Sequence, residues 1–596
     1  MAGYEAPTKD IFFALDAICG FGGLRDLPAF EDLSDDLVQA VLGEAGKLAA
    51  EVFAPLNVVG DREHSKMENG GVRTPKGFKE AYKAYVEGGW NALAFAEDVG
   101  GQGLPEALAV AVGEMFGSAN LSLSLCPMLG HSAIEAMLAH ASDALKETYL
   151  PKMVSGEWTC SMILTEPQAG SDVGALKTRA EDAGDGSYRI VGTKIFISWG
   201  EHDMTDNILH FVLARLKGAP EGAKGISMFL VPKFLLDGDG QPGTRNDVKC
   251  VSLEEKLGIH ASPTCMLSFG DEGNCVGYLV GQENAGMKNM FTMMNIARIN
   301  VGLQGVSIAE AAYQQALAYA EERRQGKAIG GKGEGSDAIL QHADVRRMLM
   351  TMKAGIEATR ALTYLNATAL DKARHHPEAE VQKTWAGLAE LLTPVTKAFA
   401  SDMGVKAASL GLQVHGGMGY VEETGAAQYF RDARIAPIYE GTNGIQAMDL
   451  VRRKLVMDDG AHWRLLFKTI AAFTSDLPDD GELGAMKPYL EDAVVAVHDA
   501  AEHLFKRSKQ EPRAVAAGAS PFLEMFGLVT GGYLLARGAE QALIRIRAGD
   551  ADKAYLEARI AVAKFYASQM LPAAVGLHPA ATGGDGVVFG VADDQM

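Results

Sequence analysis

One carboxylate, Glu440, stands between a tyrosine and a glycine in the stretch ARIAPIYEGTNGIQAMDLVRRKL, which covers residues 433–455. The apolar run from Ile435 to Ile438 leads directly into it. Apolar surroundings desolvate a carboxylate and raise its pKa, which is what a general base for a weakly acidic proton needs. A carboxylate just before a helix can also be there because it favours the positive end of the helix dipole. The local residues alone leave both interpretations open.

The residues that follow Glu440 predict the helix that has to position it. Asn443 is a candidate N-cap, and apolar residues recur at helical spacing between 445 and 455. The cations at 452–454 fall in the last turn, where they suit the helix dipole. We therefore expect Glu440 at the entrance of a short amphipathic helix.

The period of the apolar residues changes twice along the chain and predicts the other elements. Residues 1–157 show helical spacing, with Ser34 as a cap-like residue. Between 158 and 282, five short β-branched or aromatic runs predict an all-β insert, a compact barrel or sandwich. Residues 283–455 have the run lengths of bundle helices, and 456–596 add more amphipathic helices and a glycine-rich tail. The predicted fold is mixed and mainly α: an N-terminal helical domain, a middle β-barrel domain, a C-terminal four-helix bundle and an additional helical extension.

The composition favours a soluble enzyme over a nucleic-acid or membrane protein. The chain has 596 residues and a net charge of -21, which repels nucleic acid and anionic membranes. The N-terminus has charges where a signal peptide needs an apolar run, and the best apolar run, Met525–Ala536, is about half a bilayer span. Six scattered cysteines without a C-x-x-C pair, and an adjacent His375 and His376 read as a polar helix end, predict a reduced, cytoplasmic protein without a metal site.

The nucleotide-binding motifs G-x-G-x-x-G and G-x-x-x-x-G-K-[ST] are both missing from the places where they would signal a Rossmann site or a P-loop. Four other sequence motifs occur in the chain in an order that is informative. SMILTEPQAGSDVGALKTRA (161–180), ALAYAEERRQGK (316–327), LQVHGGMGYVEE (412–423) and FRDARIAPIYEGTNGIQ (430–446) resemble the landmarks of the acyl-CoA dehydrogenase family. The resemblance extends from residue 35 to 455.

The family resemblance gives Glu440 a specific role. It implies that Glu440 removes the α-proton of an acyl-CoA thioester while a hydride leaves the β-carbon for FAD, giving a trans-2-enoyl-CoA. The backbone N–H of Glu440 and a flavin ribityl hydroxyl would bind the thioester carbonyl as enolate character develops. The apolar lead-in to Glu440 is consistent with a base of raised pKa.

The resemblance also implies a set of FAD-binding residues in five places along the chain. Glycines among them let backbone N–H groups approach the flavin edge. The implied set is Leu164, Thr165, Gly170, Ser171, Phe196, Ser198, Arg323, Gln325, Gln413, Gly416, Gly417 and Thr442. The arginine and the Gln413–Gly417 turn would reach the cofactor of a neighbouring subunit, so the resemblance implies a homodimer or a dimer of dimers.

The substrate pocket implied by the family contains Ser171, Gly441 and the N-I-A-R pair Asn295 and Arg298. Family members usually have an aspartate where Asn295 stands, which leaves its hydrogen bond to the CoA part in doubt. The methionines at 290, 293 and 294 could line a pocket for a thioether chain, but their helical spacing favours core packing. His260 replaces a common family arginine and receives no role.

A closer resemblance is to the family's long branch that includes 3-methylmercaptopropionyl-CoA dehydrogenases. EVFAPLNVVGDREH, TPKGFKEAY, EEKLGIHASPTCML and the C-terminal extension carry it. It implies 3-methylmercaptopropionyl-CoA, converted to methylthioacryloyl-CoA, or another short-chain acyl-CoA as substrate, in dimethylsulfoniopropionate or fatty acid catabolism. The family implies electron-transferring flavoprotein as the acceptor.

Three other functions share this fold. An acyl-CoA oxidase would pass electrons to oxygen, and nothing in the motifs excludes it. A DNA-binding flavoprotein needs a basic surface, whereas residues 456–596 carry 13 Lys and Arg against 19 Asp and Glu. Nitroalkane oxidation typically uses an aspartate as base, and Glu440 argues against it.

Overall fold

The computed structural model describes residues 3–331 and 334–596. Its contacts divide the described chain into two compact units. One unit contains residues 45–104 and 119–297, and the other contains the residues before 45 together with 105–118 and 298–596. The finer division at residues 157, 282 and 455 stays a prediction.

The described residues form helices at both ends of the chain and strands mainly in the middle. The helices are α1 (Thr8–Phe13), α2 (Asp35–Leu48), α3 (Pro55–Glu63), α4 (Phe78–Glu87), α5 (Glu106–Ala119), α6 (Leu121–His140), α7 (Asp143–Ser155), α8 (Gly286–Glu322), α9 (Ala343–His375), α10 (Ala379–His415), α11 (Ala426–Ala433), α12 (Asn443–Asp449), α13 (Ala461–Asp476), α14 (Gly481–Gly484), α15 (Lys487–Arg507), α16 (Pro512–Ala517), α17 (Ala519–Arg547), α18 (Lys553–Gln569), α19 (Pro572–Thr582) and α20 (Asp585–Val588). The strands are β1 (Lys66–Glu68), β2 (Gly71–Arg73), β3 (Thr159–Ile163), β4 (Arg179–Asp182), β5 (Tyr188–Ser198), β6 (Ile208–Leu216), β7 (Ile226–Pro232), β8 (Phe234–Leu236), β9 (Pro242–Arg245), β10 (Val248–Leu253), β11 (Thr264–Phe269) and β12 (Val276–Leu279). The mixed, mainly α fold with a middle β-barrel is confirmed.

The main sheet has the strand order β10-β11-β5-β12-β7-β6-β3, and β4 pairs with both β5 and β6. Just beyond β3, the Thr165 carbonyl accepts a hydrogen bond from the Ile195 N–H of β5 at 3.0 Å, which brings the end strand back to the middle of the sheet. Strands β6 and β7 are buried on both faces, so they read as continuous apolar runs and were predictable. Strands β3, β4, β9 and β12 were not predicted, because four or five residues are too few to show a period. The three-residue strands β1 and β2 were not predicted either, and they lie within residues 1–157, where helices were expected.

The second unit contains the long helices α9 and α10, which pack against each other, and the C-terminal extension packs on them. Helix α17 approaches closely because its glycines carry no Cβ. A Cβ at Gly527 would lie 2.3 Å from Cγ of Phe399 in α10, and one at Gly531 would lie 3.0 Å from Cβ of Ala358 in α9. The extension is thus part of the same hydrophobic core as the bundle.

A buried arginine joins three helices of this unit. The Arg360 guanidinium of α9 donates hydrogen bonds to Glu114 of α5, with Nε–Oε1 at 2.9 Å, and to Glu310 of α8, with Nη2–Oε2 at 2.8 Å. The Tyr364 hydroxyl donates to the other Glu114 oxygen at 2.5 Å. Arg360 and Glu114 are both essentially inaccessible to solvent, so every charge in this cluster depends on its partner.

Two apolar stretches of the described chain reach the length and hydropathy of a membrane span, Leu121–His140 and Lys553–Thr582. This differs from the sequence analysis, which selected Met525–Ala536. The structure buries 67% of the apolar 18-residue window in the first stretch and 44% of that in the second. Core helices of soluble proteins pass the same test, so the finding is weak evidence for a membrane span. Met525–Ala536 itself lies within α17, against the bundle.

Candidate active site

Glu440 lies in the loop between α11 and α12, on a sharp corner of the backbone. The Ile435 carbonyl accepts the N–H groups of Ile438 and Tyr439 at 2.9 and 3.1 Å, so the apolar lead-in forms a tight turn. Glu440 then has φ +57° and Gly441 has φ +80°. A left-handed conformation costs a residue with a Cβ about 1–2 kcal/mol, so the surroundings must impose it.

Three contacts hold this corner in place. The buried Gln446 side chain donates from Nε2 to the carbonyls of Glu440 at 3.1 Å and Gly441 at 3.3 Å. The Tyr439 hydroxyl donates to Oε1 of Gln304 in α8. The Thr442 hydroxyl accepts the Ile445 N–H at 3.2 Å and caps α12.

The prediction that Asn443 caps this helix is wrong. Thr442 is the N-cap, and Asn443 is the first helical residue. Thr442 and Asn443 have similar capping preferences, so the sequence could not rank them. The side chain of Asn443 is used differently: its Nδ2 donates to Asp402 Oδ1 of α10 at 2.8 Å, and its Oδ1 accepts from Lys397 Nζ at 2.8 Å.

The electrostatics around Glu440 suit a general base. Burial raises the pKa of Glu440 above its ordinary value, and the Arg298 and Lys397 cations offset only part of that rise. A base whose pKa lies closer to neutrality is better matched to a weakly acidic C–H proton.

Arg298 is buried in this unit and has a carboxylate partner that the sequence analysis missed. Its Nη1 lies 3.6 Å from Asp449 Oδ2 of α12. Burial lowers the pKa of Arg298, while Asp449 and Glu440 raise it. Asn295 is an exposed residue of α8. Asp449 is thus a carboxylate partner of Arg298, and the predicted CoA contacts of Arg298 and Asn295 stay predictions.

The three methionines near the start of α8 are mainly core residues. Met290 and Met293 are fully buried, and Met294 is half-buried. Their packing agrees with the preferred interpretation of core filling.

The flavin-binding candidates of the middle sheet converge at the ends of β3 and β5. The Thr165 carbonyl accepts from Ile195, and Lys194 Nζ donates to the Leu164 carbonyl at 2.9 Å, so Leu164 and Thr165 lie beside Phe196 and Ser198. Phe196 has φ +59° and is 59% exposed.

A flat aromatic cofactor fits this end of the sheet. Gly170 and Ser171 are exposed, and among the described residues no heavy atom other than those of Gly170 and its chain neighbours lies within 4 Å of the place where a Cβ on Gly170 would stand. An exposed phenylalanine held on a left-handed backbone and an open glycine turn are both features that a ring system such as isoalloxazine could cover.

A buried ion pair supports the loop that carries these residues. Glu166 accepts from Thr178 Oγ1 at 2.6 Å and from the Lys177 N–H at 2.7 Å, and its Oε1 lies 2.9 Å from Lys194 Nζ. Burial tends to raise the pKa of Glu166, but Lys194 and these donors lower it to about 2. Burial lowers the pKa of Lys194 to about 8.

The remaining cofactor candidates form one exposed surface of the other unit, which we call the helix-end surface. It comprises Arg323–Gln325 after α8 and Gly416–Tyr420 after α10. The Tyr319 and His415 rings stack at 4.5 Å and bring the two helix ends together. Gln413 is exposed in the last turn of α10. This surface includes Tyr420, which is 92% exposed.

Four family models match the chain in order. They describe the acyl-CoA dehydrogenase N-terminal domain (residues 40–157), middle domain (161–271) and C-terminal domain (284–455), followed by an acetyl-CoA dehydrogenase C-terminal-like domain (466–591). The chain belongs to the acyl-CoA dehydrogenase family, whose members are FAD-dependent oxidoreductases.

Relatives place the chain among the long members. The 3-methylmercaptopropionyl-CoA dehydrogenase of Ruegeria pomeroyi is 44% identical over 95% of this chain and 96% of its own length. The broad-specificity linear acyl-CoA dehydrogenase FadE5 of Mycobacterium tuberculosis is 34% identical over 96% of each chain. The fold resembles that of Caenorhabditis elegans ACDH-11, solved in complex with C11-CoA, with a TM-score of 0.77 at 20% identity over 95% of this chain and 92% of that chain.

Proposed function

We propose that this chain oxidises 3-methylmercaptopropionyl-CoA to methylthioacryloyl-CoA and that Glu440 is the catalytic base. The observation that carries the base assignment is the position of Glu440 on a left-handed corner, where burial raises its pKa. The similarity to the Ruegeria pomeroyi enzyme over nearly the whole chain supports the substrate.

In the proposed reaction, a carboxylate oxygen of Glu440 takes the α-proton of the thioester. The contacts from Gln446 and Tyr439 fix the corner, so the carboxylate is oriented before the substrate arrives. FAD, when bound, would supply the acceptor for the β-hydride, so the substrate would lose one proton and one hydride in total. Leu164, Thr165, Gly170, Ser171, Phe196, Ser198 and Thr442 would hold the cofactor.

The helix-end surface supports a homodimer. Arg323, Gln325, Gln413, Gly416 and Gly417 would reach the cofactor of a second copy from this exposed surface. A solvated tyrosine such as Tyr420 is typical of residues that become buried in an interface. The acidic net charge and the reduced cysteines support a cytoplasmic location, and family membership supports electron-transferring flavoprotein as the acceptor.

The test is an anaerobic titration of the FAD-loaded enzyme with 3-methylmercaptopropionyl-, butyryl-, octanoyl- and palmitoyl-CoA. We expect the flavin to bleach fastest with 3-methylmercaptopropionyl-CoA and the product to be two hydrogens lighter. Fastest bleaching by octanoyl- or palmitoyl-CoA would overturn the substrate, and a flavin that no acyl-CoA bleaches would overturn the reaction. Rapid reoxidation by air, without electron-transferring flavoprotein, would identify an oxidase instead.

A further inference from the structure

A lysine is completely buried beside the proposed base. Lys397 lies in the middle of α10, within the apolar run LLTPVTKAFA, and its side chain has no solvent exposure. Burying an ammonium group is costly unless it is paired, so its surroundings should show a use for the charge.

The ammonium group of Lys397 is tied to the loop that carries Glu440. Its Nζ donates to Oδ1 of Asn443 at 2.8 Å. The Asn443 N–H in turn donates to the Pro437 carbonyl at 3.0 Å, within the turn that precedes Glu440. The same side chain donates from Nδ2 to Asp402 at 2.8 Å and to Ser401 Oγ at 3.0 Å. Asn443 therefore connects the Glu440 corner to α10 by hydrogen bonds at the position of Lys397.

Among the residues that the structure describes, two cations act on Glu440. Arg298 and Lys397 are the cations that act on it, and the Tyr439 hydroxyl is the neutral titratable neighbour. Asp449 and Arg453 act on Arg298, and Asp402 acts on Lys397. Arg434 and Glu524 act in turn on Asp402. Arg298 is paired with Asp449, whereas the ammonium of Lys397 is bonded to a neutral amide. Glu440 and Asp402 are the carboxylates that act on the charge of Lys397.

We propose that Lys397 is a positioning residue for proton abstraction: its buried ammonium, held by Asn443, stabilises the ionised form of Glu440 and sets the lower end of the pH range in which the base works. This inference rests on the proposed role of Glu440.

The charge of Lys397 is itself dependent on pH. Burial lowers the pKa of Lys397 to about 7, although Glu440 and Asp402 counteract part of that fall. Lys397 is therefore charged below about pH 7 and mostly neutral above it. A cation lowers the pKa of a nearby carboxyl, so its removal raises the pKa of Glu440. The loss of Lys397 should thus matter at acidic pH and fade as the pH rises.

The experiment follows α-proton exchange alone. A 3-thia-acyl-CoA has a sulfur in place of the β-carbon, so it can give up an α-proton but no β-hydride. NMR measures the exchange of its α-hydrogens with D₂O on the FAD-loaded enzyme between pH 5 and 9. In Lys397→Met, we expect the acid limb of the exchange rate to move up by about one pH unit. At pH values below the acid limb, such a shift lowers the exchange rate about tenfold, and near pH 9 the exchange rate should match that of the wild type.

Lys454→Met is the matched control. Lys454 lies in the turn after α12 and pairs with Glu390 of α10 at 2.8 Å, so its loss removes the same charge from the same pair of elements away from Glu440. Its profile should not move. If Lys397→Met fails to fold, Lys397→Arg serves instead, because it keeps its charge at every pH and should hold the acid limb at or below its wild-type position.

The outcomes separate this inference from the assignment of the base. If Glu440→Gln abolishes exchange but Lys397→Met only lowers the rate equally at all pH values, Lys397 has a structural role and the inference is overturned. If Glu440→Gln exchanges at the wild-type rate, the proposed base is wrong whatever Lys397 does.

Discussion

Removing Lys194 should destabilise the chain far more than removing an exposed lysine, because it leaves a buried carboxylate without its counter-ion. Lys194 Nζ and Glu166 Oε1 are 2.9 Å apart, and neither side chain is more than 3% exposed. We expect Lys194→Met to lower the free energy of unfolding by about 3–5 kcal/mol, the usual cost of breaking a buried pair from one side. Because Lys194 Nζ also binds the Leu164 carbonyl, the variant should also retain FAD poorly.

The intact pair contributes little net stability. Folding lowers the pKa of Glu166 from 4.5 to about 2, which stabilises the fold by at most about 3 kcal/mol above pH 4.5, and this gain is lost as the pH falls towards 2. Burial lowers the pKa of Lys194 from 10.5 to about 8, which costs about 3 kcal/mol of stability below pH 8, and this cost fades as the pH rises towards 10.5. The attraction between Glu166 and Lys194 is part of both pKa shifts, so adding the two free energies counts it twice. The net contribution of the pair to stability is therefore zero at best.

Glu166→Gln combined with Lys194→Met should therefore be more stable than Lys194→Met alone. Urea unfolding followed by tryptophan fluorescence compares these variants with Lys249→Met, the control. Lys249 of β10 is 3.0 Å from Glu272 and more than half exposed, so its loss should cost at most about 1 kcal/mol. Equal losses for Lys194→Met and Lys249→Met would refute the reasoning. So would a double variant whose loss of stability equals the loss in Lys194→Met plus the loss in Glu166→Gln, measured as a single variant.

Two further substitutions test the packing of the second unit. Gly527→Ala should lower the melting temperature, because its Cβ would lie 2.3 Å from Phe399 and overpacking costs about 1–3 kcal/mol. The control Gly576→Ala, in a helix with open space around that glycine, should leave the melting temperature unchanged or raise it. Equal effects of the two substitutions would contradict the close approach of α17. Arg360→Met should lower the free energy of unfolding by about 3–5 kcal/mol, because it breaks a buried ion pair. The control Arg347→Met removes an exposed ion pair from the same helix and should lower it by at most about 1 kcal/mol. Calorimetry on both variants measures the difference.

The sequence predicted the elements whose residues repeat a clear period. Strands β6 and β7 and helices α9 and α10 are long enough to show one, so the order of helices, barrel and bundle followed from the pattern. The short strands β3 and β12 did not, because they are recognisable only from the neighbours with which they pair.

The candidate site was predictable only where a residue type is unusual in its surroundings. Glu440 stood out because apolar residues precede it. Lys397 gives the same kind of signal, a cation within an apolar helical run, but it was not among the predicted site residues. Its connection to Asn443, and that of Arg298 to Asp449, depend on how α10 and α12 pack, which a single sequence does not contain.

The central claim is that Glu440 removes the α-proton, and single-turnover bleaching of Glu440→Gln tests it most directly. Wild-type, Glu440→Gln and Glu380→Gln proteins, matched in FAD content, are mixed anaerobically with 3-methylmercaptopropionyl-CoA. Glu380 is an exposed carboxylate in the first turn of α10 and serves as the control. The account predicts that Glu440→Gln bleaches about 10²–10⁴-fold more slowly, while Glu380→Gln matches the wild type. Bleaching of Glu440→Gln at the wild-type rate would contradict it.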